Sequence, residues 1–346
     1  MISDNKSGLF DLNEIGRKNP AVSVYNQLNR VKQKLSLARE ADEKNFQVLG
    51  SDRHQYKVNK PITKKEIDKF QQANKIQLPE EFYLFLTEIG NGGAGPYYGI
   101  YKLPMDRSLF HLSQPCKLKT DMTDEEWGTL IYEDDEDADV EETIFTGMLS
   151  IGTQGCSYET MLVLNGPYRG RVVYVNFELG KPFFTYESHF LNWYERWLDE
   201  VIKGYEISWF GMNMDGDERE LIDQFQQSQS KNKQEQALIS MHKFPEISDE
   251  TIDFLEQQAY SNTKELRNVS IQLLLKHDYV KAKPRILQLI TSTAEGDRLI
   301  GLQYIYWYAK EHFEEWIEEI KNIVTTNKND QIKRFAGYIL EAVNEK

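Results

Sequence analysis

The feature that most constrains this chain is the change of hydrophobic period at Gly90-Asn91-Gly92-Gly93. Before it the pattern is helical. Thr63 and Glu66 form a T-x-x-E capping box, with Ile62 and Ile67 placed for a hydrophobic staple. Ile67, Phe70 and Ala73 follow on one face. In Leu78-Pro79-Glu80-Glu81 a proline opens the next helix and two acids complement its dipole. Phe82, Phe85, Leu86 and Ile89 then recur at i, i+3, i+4, i+7, a buried stripe. After the glycines come short runs rich in β-branched and aromatic residues: Tyr98–Leu103, Gly147–Ile151, Met161–Leu164, Arg171–Phe177 and Phe183–Tyr186. Turns such as Asn165-Gly166-Pro167 separate them, which predicts a mostly antiparallel meander. Phe190, Trp193, Tyr194, Trp197, Leu198 and Val201 make the wide apolar face of a closing helix. Helices packed on such a sheet define an α+β fold.

The flanking regions read differently. Residues 1–60 form an N-terminal extension with a helix over Ala21–Glu43, where Val24, Leu28, Val31 and Leu35 keep helical spacing. The α+β domain is expected over 61–203, a linker over Gly204–Lys233, and helices alone over 234–346. On that division a fragment ending near Lys203 should fold by itself. The helical part shows a loose repeat. Arg267-x-x-Ser270-Ile271-x-Leu273, Arg298-x-x-Gly301-Leu302-x-Tyr304 and Arg334-x-x-Gly337-Tyr338-x-Leu340 align, and a second helix fits between successive copies. Either a HEAT-like stack of helix pairs or an irregular bundle satisfies this pattern.

Two segments carry a family resemblance. Leu78-Pro79-Glu80-Glu81-Phe82, and the run Gly90-Asn91-Gly92-Gly93-Ala94-Gly95-Pro96-Tyr97-Tyr98-Gly99, resemble the SUKH superfamily, also known as the Smi/Knr-like family. Leu78, Pro79, Gly92, Gly93, Gly95 and Pro96 are its structural motif here. The meander over Leu162–Val173 and the Trp-rich helix after Phe190 also look like that family. The resemblance spans roughly Ile62–Lys203. It implies an α+β domain that binds rather than catalyses: in bacteria, neutralisation of a co-encoded polymorphic toxin, often a nuclease; in eukaryotes, regulation linked to cell-wall synthesis.

The chemistry-bearing residues suggest no enzyme. Gly92–Gly99 follow a helix and precede a strand, the reverse of a phosphate loop, and no Gly-Lys-Ser/Thr is present. His111, Cys116 and Cys156 lack zinc-ligand spacing, and the acidic run lacks an EF-hand register. Ser157 does not sit in a G-x-S-x-G elbow. No catalytic residue, metal or cofactor is expected, and a hydrolase is the least favoured class. With two cysteines, a polar N-terminus and no long apolar run, the chain is expected to be cytoplasmic and not membrane-bound.

Charge is concentrated in one place. Residues 121–142 hold twelve acids and no Lys or Arg, against a net charge of −14 for the whole chain. So acidic a stretch argues against nucleic acid as a direct ligand. As a solvated loop it would only aid solubility; as a functional segment it would lure a basic protein surface. Asp134, Asp135, Glu136, Asp137, Asp139, Glu141 and Glu142 are the candidate lure, with Trp127 and Tyr132 as candidate apolar anchors. The leading expectation is an immunity protein that binds a toxin with a basic surface. The alternative is a regulatory scaffold or adaptor whose helical repeats recruit a second partner.

Overall fold

The computed structural model describes residues 20–42, 44, 46–103, 111–132, 144–176, 178 and 180–344, and its contacts divide the chain into two units, Met1–Met212 and Asn213–Lys346. The first unit opens with α1 (Pro20–Ala41), a single turn α2 (Ser51–His54), α3 (Lys64–Asn74) and α4 (Glu80–Leu84). The reciprocal cap of α3 is present: the Glu66 amide donates to Thr63 Oγ1 at 3.3 Å and the Thr63 amide to Glu66 Oε2 at 3.0 Å. Helix α4 runs into a π-helical turn, Phe85–Ile89, closed by the Gly90 amide donating to the Phe85 carbonyl at 3.0 Å. After α5 (Asp124–Tyr132) come four strands, β1 (Met148–Gly155), β2 (Tyr158–Val163), β3 (Val172–Asn176) and β4 (Phe183–Phe184), paired antiparallel in sequence order. Helix α6 (Phe190–Ile202) follows them.

The Tyr98–Leu103 run, expected as the first strand, forms no ladder. Gly93 and Ile100 exchange both backbone bonds at 2.8 Å, and the Tyr101 amide donates to the Ile151 carbonyl on β1. Further pairing is pre-empted by Asn91, whose side-chain amide bonds the backbone of Leu103 in both directions, at 2.7 and 2.9 Å. The glycines allow this crossing. At Gly93 (φ 106°) an added Cβ would lie 2.6 Å from the Lys57 carbonyl oxygen, too close for any side chain.

Period-two alternation gives the sheet two apolar faces. Leu149, Ile151, Leu162, Val172 and Tyr174 face the main core, which holds Phe82, Phe85, Phe190, Trp193 and Trp197. Helix α6 lies at its centre, buried even at Glu195, Arg196 and Glu200. Its outer side is covered by α1, which expectation had set apart as an extension. Arg30 and Lys34 pair with Glu195 at 2.7 and 2.8 Å, Lys34 also with Asp199, and Gln27 donates to Asn192. Leu28, Val31 and Ala38 complete the same core.

The stretch Gly204–Lys233, expected as a linker, is largely structured. Ile207 and Phe210 are buried in the first unit, where the Tyr97 and Tyr174 hydroxyls both donate to the Phe210 carbonyl, at 2.7 and 3.1 Å. From Asn213 onward the chain belongs to the second unit, whose first helix α7 (Glu218–Gln227) has a capping box of Asp217 and Glu220. Its i, i+4 pair Leu221 and Phe225 is buried, so a short amphipathic helix stands where polar composition suggested a spacer.

Beyond α7 lie α8 (Lys231–Ser240), α9 (Asp249–Gln258), α10 (Lys264–His277), α11 (Tyr279–Ile290), α12 (Glu295–Tyr308), α13 (Ile317–Thr326) and α14 (Asp330–Asn344). Most consecutive helices pack together, and α8, α10, α12 and α14 also contact one another in that order. The three aligned sequence segments fall on α10, α12 and α14, members of this row. At Gly301 an added Cβ would stand 2.7 Å from Ile290, a close helix approach; Gly337, its counterpart, faces open space.

Two outcomes follow. A fragment spanning residues 1–212 should melt cooperatively, whereas one ending at Lys203 should lose about 3–5 kcal/mol, the cost of removing a buried aromatic anchor such as Phe210. Chemical denaturation of the two fragments decides it; equal stabilities would place the end of the core at α6. The second concerns acid. Burial pushes the imidazoles of His54, His242 and His277 down to about 4. Unfolded, they titrate near about 6.5, so the unfolded chain binds protons first and stability falls as pH drops below that value. Between pH 6.5 and 5 the melting temperature should decrease, and less so in His54→Asn; a flat profile in the parent chain would refute it.

Candidate partner-binding face

The sheet's second face is where the acidic segment meets the fold. Met148, Met161, Val163, Val173 and Val175 project there, an apolar surface that water would otherwise meet. It is covered by Leu118, Trp127, Ile131, Ile144 and Phe145, all buried. The covering layer therefore comes from the stretch between the glycine crossing and β1, including helix α5. Trp127 and Ile131 stand one turn apart on α5 and point into this cluster, while Asp124, Glu125 and Glu126 remain exposed on its first turn.

Local chemistry explains why α5 forms inside so acidic a stretch. Thr123 and Glu126 make another reciprocal cap: the Glu126 amide donates to Thr123 Oγ1 at 3.1 Å and the Thr123 amide to Glu126 Oε2 at 2.9 Å. Three acids in the first turn complement the helix dipole. Two surface lysines tie down two of them. Lys181, beside β4, pairs with Asp124 at 2.6 Å, and Lys119 with Glu126 at 3.4 Å. The Lys181 contact holds the Asp124 carboxyl below its ordinary range; for Glu126 the amide bond from Thr123 is the larger cause and Lys119 the smaller. The T-x-x-E box and the Trp127/Ile131 spacing were the sequence signals for this helix, masked by the density of charge around them.

The candidate residues separate into distinct groups. Trp127, proposed from sequence as an apolar anchor for a partner, is 6% exposed and belongs to the second core. It is a clamp between α5 and the sheet, and it cannot meet a partner while α5 stays docked. Tyr132 ends α5, but its side chain lies outside the described residues, as do Asp134, Asp135, Glu136, Asp137, Asp139, Glu141 and Glu142. Leu78 is buried; its amide donates to Gln71 Oε1 at 2.8 Å and its carbonyl accepts from Arg169 at 2.9 Å. Pro79 precedes α4, and Gly92, Gly93, Gly95 and Pro96 line the crossing on the other side of the sheet.

Neither cysteine sits in a ligand cluster. Burial pushes the Cys116 thiol up to about 11, and Cys156, exposed, occupies the β1–β2 turn. Among the described residues no three His, Cys, Asp or Glu side chains gather as a metal site, and no helix is long and apolar enough to cross a membrane.

Comparison with known families fits this architecture. The model of the SMI1 / KNR4 family (SUKH-1) matches residues 61–197, from the loop before α3 into α6. Residues 61–197 are a SUKH-1 domain. No curated protein and no solved structure matches the chain. The match begins after α1 and stops before Ile207 and Phe210, so the SUKH-1 domain is completed on both sides by segments the family model does not span. The acidic layer lies within it.

Replacing Trp127 by Ala should destabilise the first unit by about 3 kcal/mol, and Thr123→Ala by about 1 kcal/mol through loss of the cap. Glu125→Gln should stay within about 0.5 kcal/mol of the parent. Urea denaturation measures all three. If Trp127→Ala matched Glu125→Gln, α5 would not be packed on the sheet in solution.

Proposed function

We propose that this protein is an immunity protein that binds a polymorphic toxin, acting in the cytoplasm and without catalysis. The carrying observation is the acid-bearing layer held over one face of a SUKH-1 sheet. Its apolar residues are spent inward on the clamp, so what it offers outward is negative charge. Bacterial members of the family, by the resemblance drawn from the sequence, neutralise toxins, and nuclease toxins need basic clefts to hold a polyanion. An acidic surface fits such a cleft, raises the encounter rate and competes with the toxin's substrate. The run from Asp134 through Glu142 extends the same charge in sequence beyond the exposed acids of α5.

A second reading, a scaffold or adaptor, draws on the helical unit. Trp307, Tyr308 and Tyr338 are exposed there, and such aromatics are typical of protein-binding surfaces. A toxin gene next to this one would favour the first reading, and its absence the second.

Exchanging Asp134, Asp135, Glu136, Asp137 and Asp139 for Asn or Gln should leave the melting temperature unchanged or raised, since like charges repel. The same variant should associate with the neighbour-encoded toxin domain at least ~10-fold more slowly at low salt, and the gap should close as the Debye length shrinks to about 3 Å at 1 M. Stopped-flow association measures this. An unaltered on-rate at low salt would remove the acidic layer from the interface.

A further inference from the structure

A cleft of about 550 Å³ opens in the first unit where the C-terminal end of α3 meets the turn between β2 and β3. Asp68, Gln72, Lys75, Gln77, Asn165 and Arg169 line it, and none of them belongs to the acidic layer. Its walls have already used their main-chain acceptors. Lys75 ends α3 in the left-handed region (φ 54°), and its amide turns back to the carbonyls of Gln71 and Gln72. The Asn74 side chain donates to the Phe70 carbonyl at 2.8 Å. Across the cleft, Arg169 Nη2 donates to the carbonyls of Gln77 and Leu78, both at 2.9 Å, which fixes the guanidinium in place. Asn165 Nδ2 donates to the Leu112 carbonyl at 2.6 Å, and the Leu78 amide occupies Gln71 Oε1.

What the cleft still offers is mostly donors. Among the described residues Arg169 Nε, Arg169 Nη1 and Lys75 Nζ meet no acceptor, and neither cation enters an ion pair. Carbonyl dipoles orient the Arg169 guanidinium without neutralising it. Asp68 is the one acid of the lining, and it accepts a 3.5 Å bond from Gln71. Two cations against one carboxylate leave a single positive charge facing the space. A carboxylate matches that charge and is an acceptor only; a phosphate dianion would exceed it and meet Asp68 as a like charge. The amides of Gln72 and Gln77 can both donate and accept, as an adjoining peptide backbone requires. No aromatic ring lines the cleft, so an apolar ligand finds little to hold it.

We propose that this cleft binds a peptide carboxylate, borne either by a chain terminus or by an Asp or Glu side chain. Such a ligand is opposite in charge to any target of the acidic layer, so the site stands whether or not that layer meets a toxin.

The test titrates the isotope-labelled full chain with three acetylated tripeptides, followed by the NMR signals of Arg169 Nε–H and the Gln72 and Gln77 side-chain amides. One is triglycine with a free C-terminus, one is Gly-Glu-Gly amide, and the neutral control is triglycine amide. Saturable shifts are expected below ~10 mM for at least one charged peptide, and the tighter of the two identifies a terminus or a side chain as the source. Arg169→Gln should weaken binding ~10-fold or more, the loss expected for a charge-assisted bond. Lys75→Asn, which suits the left-handed backbone and spares the Arg169 contacts, should weaken it ~3-fold, the smaller effect of a solvated charge. It decides the matter if Arg169→Gln fails to fold. The proposal is overturned if neither charged peptide gives saturable shifts, if the neutral control binds as tightly, or if folded variants bind like the parent.

Discussion

The first unit is organised by a helix that is buried along most of its surface. Helix α6 carries Phe190, Trp193, Tyr194 and Trp197 into the main core, and its remaining faces also carry charge. A charged residue can be buried only if its partners arrive with it. Arg196 is held between Glu187 and Glu200, and Glu195 is met by Arg30 and Lys34 of α1. Tyr194 reaches the carbonyl of Ala94 at 2.8 Å, so the same helix fixes the glycine crossing. Trp193 donates to the Tyr174 hydroxyl, which in turn holds the segment ending at Phe210. Sheet, crossing, N-terminal helix and closing segment are thus all registered on one rod.

The second face of the sheet follows a different logic. Its covering layer is thin and rests on a few apolar side chains, chiefly Trp127 and Ile131, that seal Met161, Val163 and Val173. The charge is carried by neighbours of those clamps in sequence, on the opposite side of α5. Stability and recognition are therefore assigned to different residues of one short helix. A surface built this way can change its charge without reopening the core beneath it.

Much of this was legible in the chain because local signals agreed with global ones. The cap at Thr63, the stripe through Ile89, the meander and the aromatic face of α6 each name their own element. What escaped reading depended on partners far away. Ala21–Glu43 is visible as a helix, but nothing in its spacing says that Arg30 will meet Glu195. The charged side of α6 looks solvated until α1 covers it. Tyr98–Leu103 has strand composition, yet Asn91 takes the backbone bonds a neighbouring strand would need. Trp127 read as a partner anchor because its acidic surroundings outweighed one i, i+4 pair. Asp217 and Leu221 were similarly diluted by the glutamines that follow them.

The burial of α6 has a consequence for how the chain is made. Its partners on α1 lie about 165 residues upstream, and the bond from Tyr97 to Phe210 spans 113 residues. Contacts of such separation form late and slowly. On the ribosome the first unit should therefore complete its core only once the residues just past Phe210 have left the exit tunnel. The helical unit then follows with contacts mostly between consecutive helices, which close as fast as they are synthesised. The interval of exposure thus belongs to the SUKH-1 portion, and chaperone demand should peak at the moment translation passes from one unit to the other.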